Sequence, residues 1–277
     1  MSQSAARARV RLARERRPVL TVLAVAAYLI MIGPVIFVVA VAFTAGSTIT
    51  FPPEGFSLRW FGAAADYGPF LDGLWTSLLV AAGATVIALA VGVPATLAIH
   101  RGRLPGRSVI QNLFLSPIVL PELVLGLALY QQLMVGLGVT ASGVLLVGHT
   151  LLLLPYAVRV TGASLTLADP ALEEAARGLG AGPVTTFFRV TLPVLRPGIA
   201  AAAVLGFVTS FNNVPLSLLL QGSGTATLPV AMLQYVQTSY DPVVAAVSVV
   251  LLAASVVVAV IAERLVGFNK IFGGIGS

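Results

Sequence analysis

LADPALEEAARGLGAGPVTTFFRVTLPVLRPG, residues 167–198, is the least lipid-like stretch of a 277-residue chain, and long apolar runs flank it on both sides. Its punctuation predicts two short helices. Asp169 is placed to cap a helix N-terminus, and Pro170 to occupy the first helical position, where its missing N–H costs nothing. Glu173 and Glu174 follow in the first turns, where the helix dipole favours anions, and Gly180 is placed to end the helix. A second short helix is expected to begin near Pro183 and to stop before Pro193. Spacing alone leaves two roles open for this bracket: a connector lying at the membrane interface, or an exposed docking element.

Outside the bracket stand six apolar stretches, approximately Val19 to Phe43, Leu74 to Ile99, Val109 to Met134, Val144 to Ala163, Ile199 to Leu220 and Val243 to Val266. Each is long enough to cross about 30 Å of hydrocarbon at a rise of about 1.5 Å per residue. Only 9% of the residues are charged, against roughly 25% in a soluble domain, so too little polar surface remains for a separate soluble catalytic domain. The first stretch follows six arginines, Arg7 to Arg17, which resembles the start of a signal peptide. Its apolar run exceeds an ordinary signal core, and it is read as an uncleaved helix. The expected fold is an all-α integral membrane protein with six transmembrane helices and a two-helix loop between the fourth and fifth. Residues 1–18 form a basic tail, 19–266 the transmembrane domain with its loop at 165–197, and 267–277 a second tail.

The net charge of +6 carries orientation rather than affinity for nucleic acid. Fifteen of the 16 basic residues fall before the first span, in the loop with Arg101, Arg103 and Arg107, between Arg159 and Arg196, or at the end with Arg264 and Lys270. The exception is Arg59, in a first outer loop that also holds Glu54, Asp66 and Asp72. By the positive-inside rule both termini and the bracket lie in the cytoplasm. Pro34, Pro94, Pro117, Pro121, Pro155 and Pro215 fall within spans and are read as packing kinks, whose freed carbonyls neighbouring helices can satisfy.

Catalytic signatures are missing from the sequence. The one lysine, Lys270, is not in a Gly-Lys-Ser/Thr context, so the chain has no P-loop. There is no HExxH, no GxSxG and no cysteine. No catalytic residue, metal site or cofactor is expected. His100 adjoins Arg101 as an interfacial anchor, and Arg159 is placed to snorkel to the headgroups. His149 lies inside the fourth span, either in a buried hydrogen bond or on a transport route.

Glu174, Ala175, Ala176 and Gly180, followed after nine residues by Val190, Thr191, Leu192 and Pro193, resemble the EAA signature of permease subunits in binding-protein-dependent ABC importers. The chain departs from that pattern only in having Val190 where the family has Ile. The resemblance implies that Glu173, Glu174, Ala175, Ala176, Gly180, Leu192 and Pro193 belong to a coupling element that docks in a groove of an ATP-hydrolysing subunit. It also implies the partners: an ATP-binding cassette ATPase dimer, a second permease, homologous or identical, and an extracytoplasmic solute-binding protein, all at a bacterial inner membrane. Small Ala175 and Ala176 would let the helix seat closely, Glu174 would supply a charge, and Gly180 would permit a left-handed backbone at the turn.

FPPEGFSLRWF (Phe51 to Phe61), the stretch ending at Pro121 and Glu122, GHTLLLLPY to Tyr156, SFNN (Ser210 to Asn213) and TLPV (Thr227 to Val230) are similar to permeases of spermidine/putrescine-type importers. Relatives in the same broad group carry ferric iron, thiamine, aminophosphonates or sulfate. Polyamine permeases often have acidic residues where this chain has Asn212 and Asn213, and two neutral amides equally suit a zwitterionic or anionic solute. Candidate pathway residues are Glu122, Tyr130, Gln131, His149, Tyr156, Ser210, Asn212 and Asn213. An ionisable group inside a span points to function, yet Glu122 also follows Pro121 and could cap a broken helix; the two asparagines could equally bind a neighbouring helix. An ion-driven secondary transporter is the competing class. Its usual inverted repeat and paired midplane carboxylates have no counterpart here.

Overall fold

A computed structural model describes residues 3–102, 105–222 and 224–266. Arg103, Lys270 and the expected tail at 267–277 lie outside the described residues. Twelve α-helices follow one another among those described: α1 (Gln3–Ala42), α2 (Arg59–Asp66), α3 (Gly68–Arg101), α4 (Arg107–Leu115), α5 (Glu122–Leu129), α6 (Ala141–Leu167), α7 (Ala171–Gly178), α8 (Pro183–Thr186), α9 (Leu192–Phe211), α10 (Pro215–Leu220), α11 (Leu228–Val236) and α12 (Val243–Val266). Among the described residues, five helical segments are long and apolar enough to cross a bilayer: Leu20–Ala42, Gly68–Arg101, Ala141–Leu167, Pro183–Phe211 and Val243–Ile261. Counting the bent pair Arg107–Ile118 and Glu122–Gly136 as one span makes six.

That pair corrects the expectation of a continuous third span. The helix tightens into a 3-10 turn at Ser116–Ile118 and turns by 98° before α5. Pro121, with ψ at 130°, has no N–H to continue the ladder, and Glu122 opens α5 as the acidic residue of its first turn. The fifth span is corrected too. It starts at Pro183 rather than near Ile199, because α8 passes through a π-helical turn (Phe187–Thr191) directly into α9. Pro193 does not stop that helix because it lies just after the π-helical turn, where the regular i→i−4 ladder is already interrupted and a missing N–H is tolerated. The span ends at Phe211, and Pro215 starts the separate helix α10. The nine-residue helix α11 has no counterpart among the expected spans.

The chain divides into two compact units. One contains Met1–Ala64 and Ser239–Val249. Its core gathers Val41, Ala42, Ala245 and Ala246 under Val38, Phe43, Trp60, Phe61 and Val249. Thr44 organises the connection after α1. Its Oγ1 accepts from the N–H groups of Gly46 and Glu54, each at 3.1 Å, and its carbonyl accepts from Trp60 Nε1 at 3.0 Å. Arg59 donates to the Gly46 carbonyl at 2.7 Å and stacks over Trp60. Large apolar side chains from Leu20 to Ile36 face outward, as a helix solvated by lipid requires.

The other unit contains Ala65–Thr238 and Val250–Ser277. Helices α3, α6 and α9 pack together here, with α10 set against α5 and α6. Val80, Ala84, Ala88, Val144, Leu145, Leu152, Leu153, Ala157, Leu216 and Leu220 form the core. Lipid offers no hydrophobic drive for helices to associate, so close van der Waals approach and interhelical hydrogen bonds must supply it. Gly92 shows how: a Cβ there would lie 2.6 Å from Cβ of Ala157. One turn on, Thr96 Oγ1 donates to the Gly92 carbonyl at 2.8 Å and sits 3.0 Å from Thr161 Oγ1 of α6. Helix α11 is tied to α3 where the Leu228 N–H donates to buried Ser77 Oγ at 2.9 Å.

Candidate functional site

Asp169 Oδ1 accepts from the Ala171 N–H at 2.9 Å, and the Glu173 and Glu174 N–H groups bond the Pro170 carbonyl. Helix α7 is therefore capped as its sequence suggests. At its other end Gly180 has φ of +87°. The Gly180 N–H donates to the Arg177 carbonyl at 2.9 Å and the Ala181 N–H to the Ala176 carbonyl at 3.0 Å, which is the paired closure of a Schellman turn. The chain reverses within Gly180–Gly182 and enters α8.

The two glutamates of α7 face differently. Glu174 is exposed and has no partner among the described residues. Glu173 is turned inward, with Oε2 on Arg101 Nη1 at 2.9 Å and Oε1 accepting from Thr191 Oγ1 at 2.9 Å. Leu172, Leu179, Val184 and Phe188 are exposed around them. Ala175 is exposed and Ala176 half-buried.

A second polar group runs through the broken helices. Asn213 lies in the break between α9 and α10. Its Nδ2 donates to Glu122 Oε2 at 2.6 Å, and its Oδ1 accepts from the N–H groups of Leu216 at 3.1 Å and Ser217 at 3.3 Å. From α6, His149 reaches both sides of the same break, with Nδ1 2.6 Å from Ser210 Oγ and Nε2 3.0 Å from Ser217 Oγ. His149 and Ser217 are fully buried, and Ser210 and Asn213 nearly so. A hydroxyl can donate or accept, so two serines satisfy the imidazole N–H and its lone pair together. Glu122, Asn213, Ser217, His149 and Ser210 thus link α5, α6, α9 and α10.

Four of the eight candidate pathway residues meet in this network. Asn212 points elsewhere, donating to the Val208 carbonyl at 3.0 Å and to Ser255 Oγ of α12 at 3.3 Å. Tyr156 packs against the apolar core, and Tyr130 and Gln131 lie on the exposed π-helical turn Tyr130–Gly136. Sequence reasoning missed Ser217, Arg101 and Thr191. The signal for Ser217 was local: two asparagines shortly before Pro215 mark a chain break, and the residues after such a break cap onto it. Arg101 and Thr191 carry no comparable local signal.

The sequence matches the family described as binding-protein-dependent transport system inner membrane component over residues 88–268. It is 28% identical over 257 residues to the putrescine transport system permease protein PotI of Escherichia coli, covering 90% of this chain and 91% of that protein. It is 34% identical over 214 residues to the molybdenum transport system permease protein ModB of Mycobacterium bovis, covering 70% and 80%. In three dimensions it resembles a chain of a bacterial ABC transporter involved in the import of alginate, with a TM-score of 0.71 at 18% identity over 92% of this chain and 97% of that one. A chain of the MetNI methionine ABC transporter gives a TM-score of 0.60 at 23% identity over 71% and 94%. These two likenesses concern the fold. A match across well over half of the chain, joined to membrane-spanning helices and a capped bracket between two of them, makes this protein a member of the binding-protein-dependent transport system inner membrane component family, and so a permease subunit of an ABC importer.

Proposed function

We propose that the chain forms half of the membrane pathway of an importer for a small polyamine-like solute and docks an ATPase dimer through α7. The observation that carries the docking is the surface of the bracket. Leu179 is 90% exposed and Val184 70%, on an element whose Glu173, Glu174 and Arg177 keep it out of hydrocarbon. Apolar side chains clustered on a charged, lipid-free element fit a protein partner, and exposed Glu174 can pair with a basic residue of its groove. The distribution of basic residues supports a cytoplasmic position for this surface and both termini. A second permease would complete the pathway, and a solute-binding protein would deliver to the opposite face.

For the solute, the supporting feature is Glu122. Its Oε1 has no partner among the described residues, while Asn213 holds Oε2, leaving a carboxylate oxygen available to an ammonium group. The similarity to the putrescine permease points the same way. Neutral Asn212 and Asn213 and the similarity to the molybdenum permease favour a second reading, an oxyanion. Calorimetry on the cognate solute-binding protein, titrated with putrescine, spermidine and molybdate, separates the two. Polyamine binding supports the first and molybdate binding the second. Purification of this chain from its own cells without an ATP-binding partner would count against docking through α7.

A further inference from the structure

Arg101 is the last residue of α3 and Glu173 lies in the first turn of α7. Each charge suits its own helix end, since a cation is favoured at a C-terminus and an anion at an N-terminus. The pair that forms between them at 2.9 Å is mostly shielded, with 23% of the arginine side chain and 12% of the glutamate exposed. A solvated surface pair contributes little; this one is drier and is braced by a third group, Thr191 Oγ1 on the other carboxylate oxygen. Thr191 closes the π-helical turn that leads into α9. One carboxylate therefore joins α7 to the ends of two long spans, and both of its oxygens are committed.

We propose that Arg101, Glu173 and Thr191 are positioning residues: a latch that makes α7 move as one body with the ends of α3 and α9. This rests on the reading of α7 as the ATPase-docking helix. The two glutamates then divide the work. Glu174 faces the ATPase, and Glu173 transmits the displacement inward. Without the latch, α7 hangs on the short segments Ala168–Pro170 and Leu179–Gly182, and its displacement is absorbed there instead of tilting the spans.

The test uses the complete importer, purified with its own ATPase and second permease and reconstituted with its solute-binding protein. Arg101→Glu and Thr191→Val leave Glu173 and the exposed docking residues untouched, so the ATPase stays bound and hydrolyses ATP. Radiolabelled putrescine taken up per ATP falls about tenfold in Arg101→Glu, within the range of ordinary coupling energies. The charge-exchanged double variant Arg101→Glu/Glu173→Arg recovers most of it. Equal uptake per ATP in all variants, or a double variant no better than its parents, overturns the latch.

A second measurement does not depend on the solute. The sequence has no cysteine, so nitroxides at Val91→Cys and Ala171→Cys report the α3–α7 distance with no background label on this chain. The distribution is narrow in the parent and broad in Glu173→Gln; equal widths overturn the latch. Absence of putrescine uptake by the parent would strike the solute reading, and loss of the ATPase on purification the docking reading.

Discussion

Asn213 holds Glu122 across 91 residues of sequence, at 2.6 Å, with the same amide whose oxygen caps α10. One side chain therefore fixes two breaks in the helical framework, the one before α5 and the one before α10. Breaks within membrane-spanning regions persist only where the freed backbone groups find protein partners, and here the Asn213 oxygen is that partner for two N–H groups.

Replacing Asn213 tests this double duty. Asn213→Ala removes the donor to Glu122 and the cap together, and loss of a cap costs about 1 kcal/mol. Asn213→Ser also loses the donor to Glu122 but keeps a capping oxygen without adding a charge. The expected result is a lower unfolding temperature in detergent for Asn213→Ala and a smaller loss for Asn213→Ser. If the two variants melt together, the cap contributes nothing measurable.

His149 bridges the break from the other side. Ser210 precedes it and Ser217 follows it, so the imidazole sets the separation of α9 and α10. His149→Leu fills a similar volume but leaves two buried hydroxyls short of a partner, a penalty of about 1–3 kcal/mol where a group stays unsatisfied. The variant should insert and purify, unfold at a lower temperature than the parent, and be partly rescued by Ser210→Ala/Ser217→Ala, which removes the orphans. A triple variant no more stable than His149→Leu argues against the bridge.

Much of this was legible because its causes are local. Apolar runs of spanning length, the clustering of arginines, and the Asp169–Pro170 start and Gly180 stop of α7 all follow from residues within a few positions of one another. The broken third span was only half legible: Pro117 and Pro121 were visible, but proline in a membrane helix permits either a gentle kink or a sharp turn, and the choice rests on whether a distant residue such as Asn213 stabilises the turn. The same limit hid the start of the fifth span, where Pro193 reads as a stop until α8 is seen to run into α9. Glu173 and Glu174 look equivalent in sequence. Only Arg101 and Thr191, brought close by the packing of α3, α7 and α9, set them apart.

Close packing of α3 on α6 makes a separate prediction. At Gly92 a single added methyl meets Ala157 at 2.6 Å, and neither backbone can yield without disturbing the Thr96–Thr161 pair beneath. Gly92→Val should destabilise the chain by about 1–3 kcal/mol, the usual cost of overpacking, read as a lower unfolding temperature. Ala157→Gly opens space opposite and should restore part of the loss. Independent, additive effects would place the two residues out of contact.

Gly180 supplies the sharpest distinction between folding and coupling. At φ of +87° an L-residue is strained by about 1–2 kcal/mol, and a β-branched one more so, while open space surrounds the missing Cβ. Gly180→Ala therefore strains only the turn, and Gly180→Val strains it further; neither collides with a neighbour. The spans do not depend on the turn, so both variants should insert normally, with the melting temperature nearly unchanged for Gly180→Ala. What changes is the angle at which α7 meets α8, and with it the alignment of Leu179 and Val184 on the exposed surface. Solute-stimulated ATP hydrolysis by the reconstituted importer should fall in the order parent, Gly180→Ala, Gly180→Val, whereas basal hydrolysis by the bound ATPase should be preserved. Gly180→Asn, which tolerates the left-handed region better than other non-glycine residues, should lie between the parent and Gly180→Ala. Stimulated hydrolysis that is the same in all four proteins would separate the turn from coupling altogether.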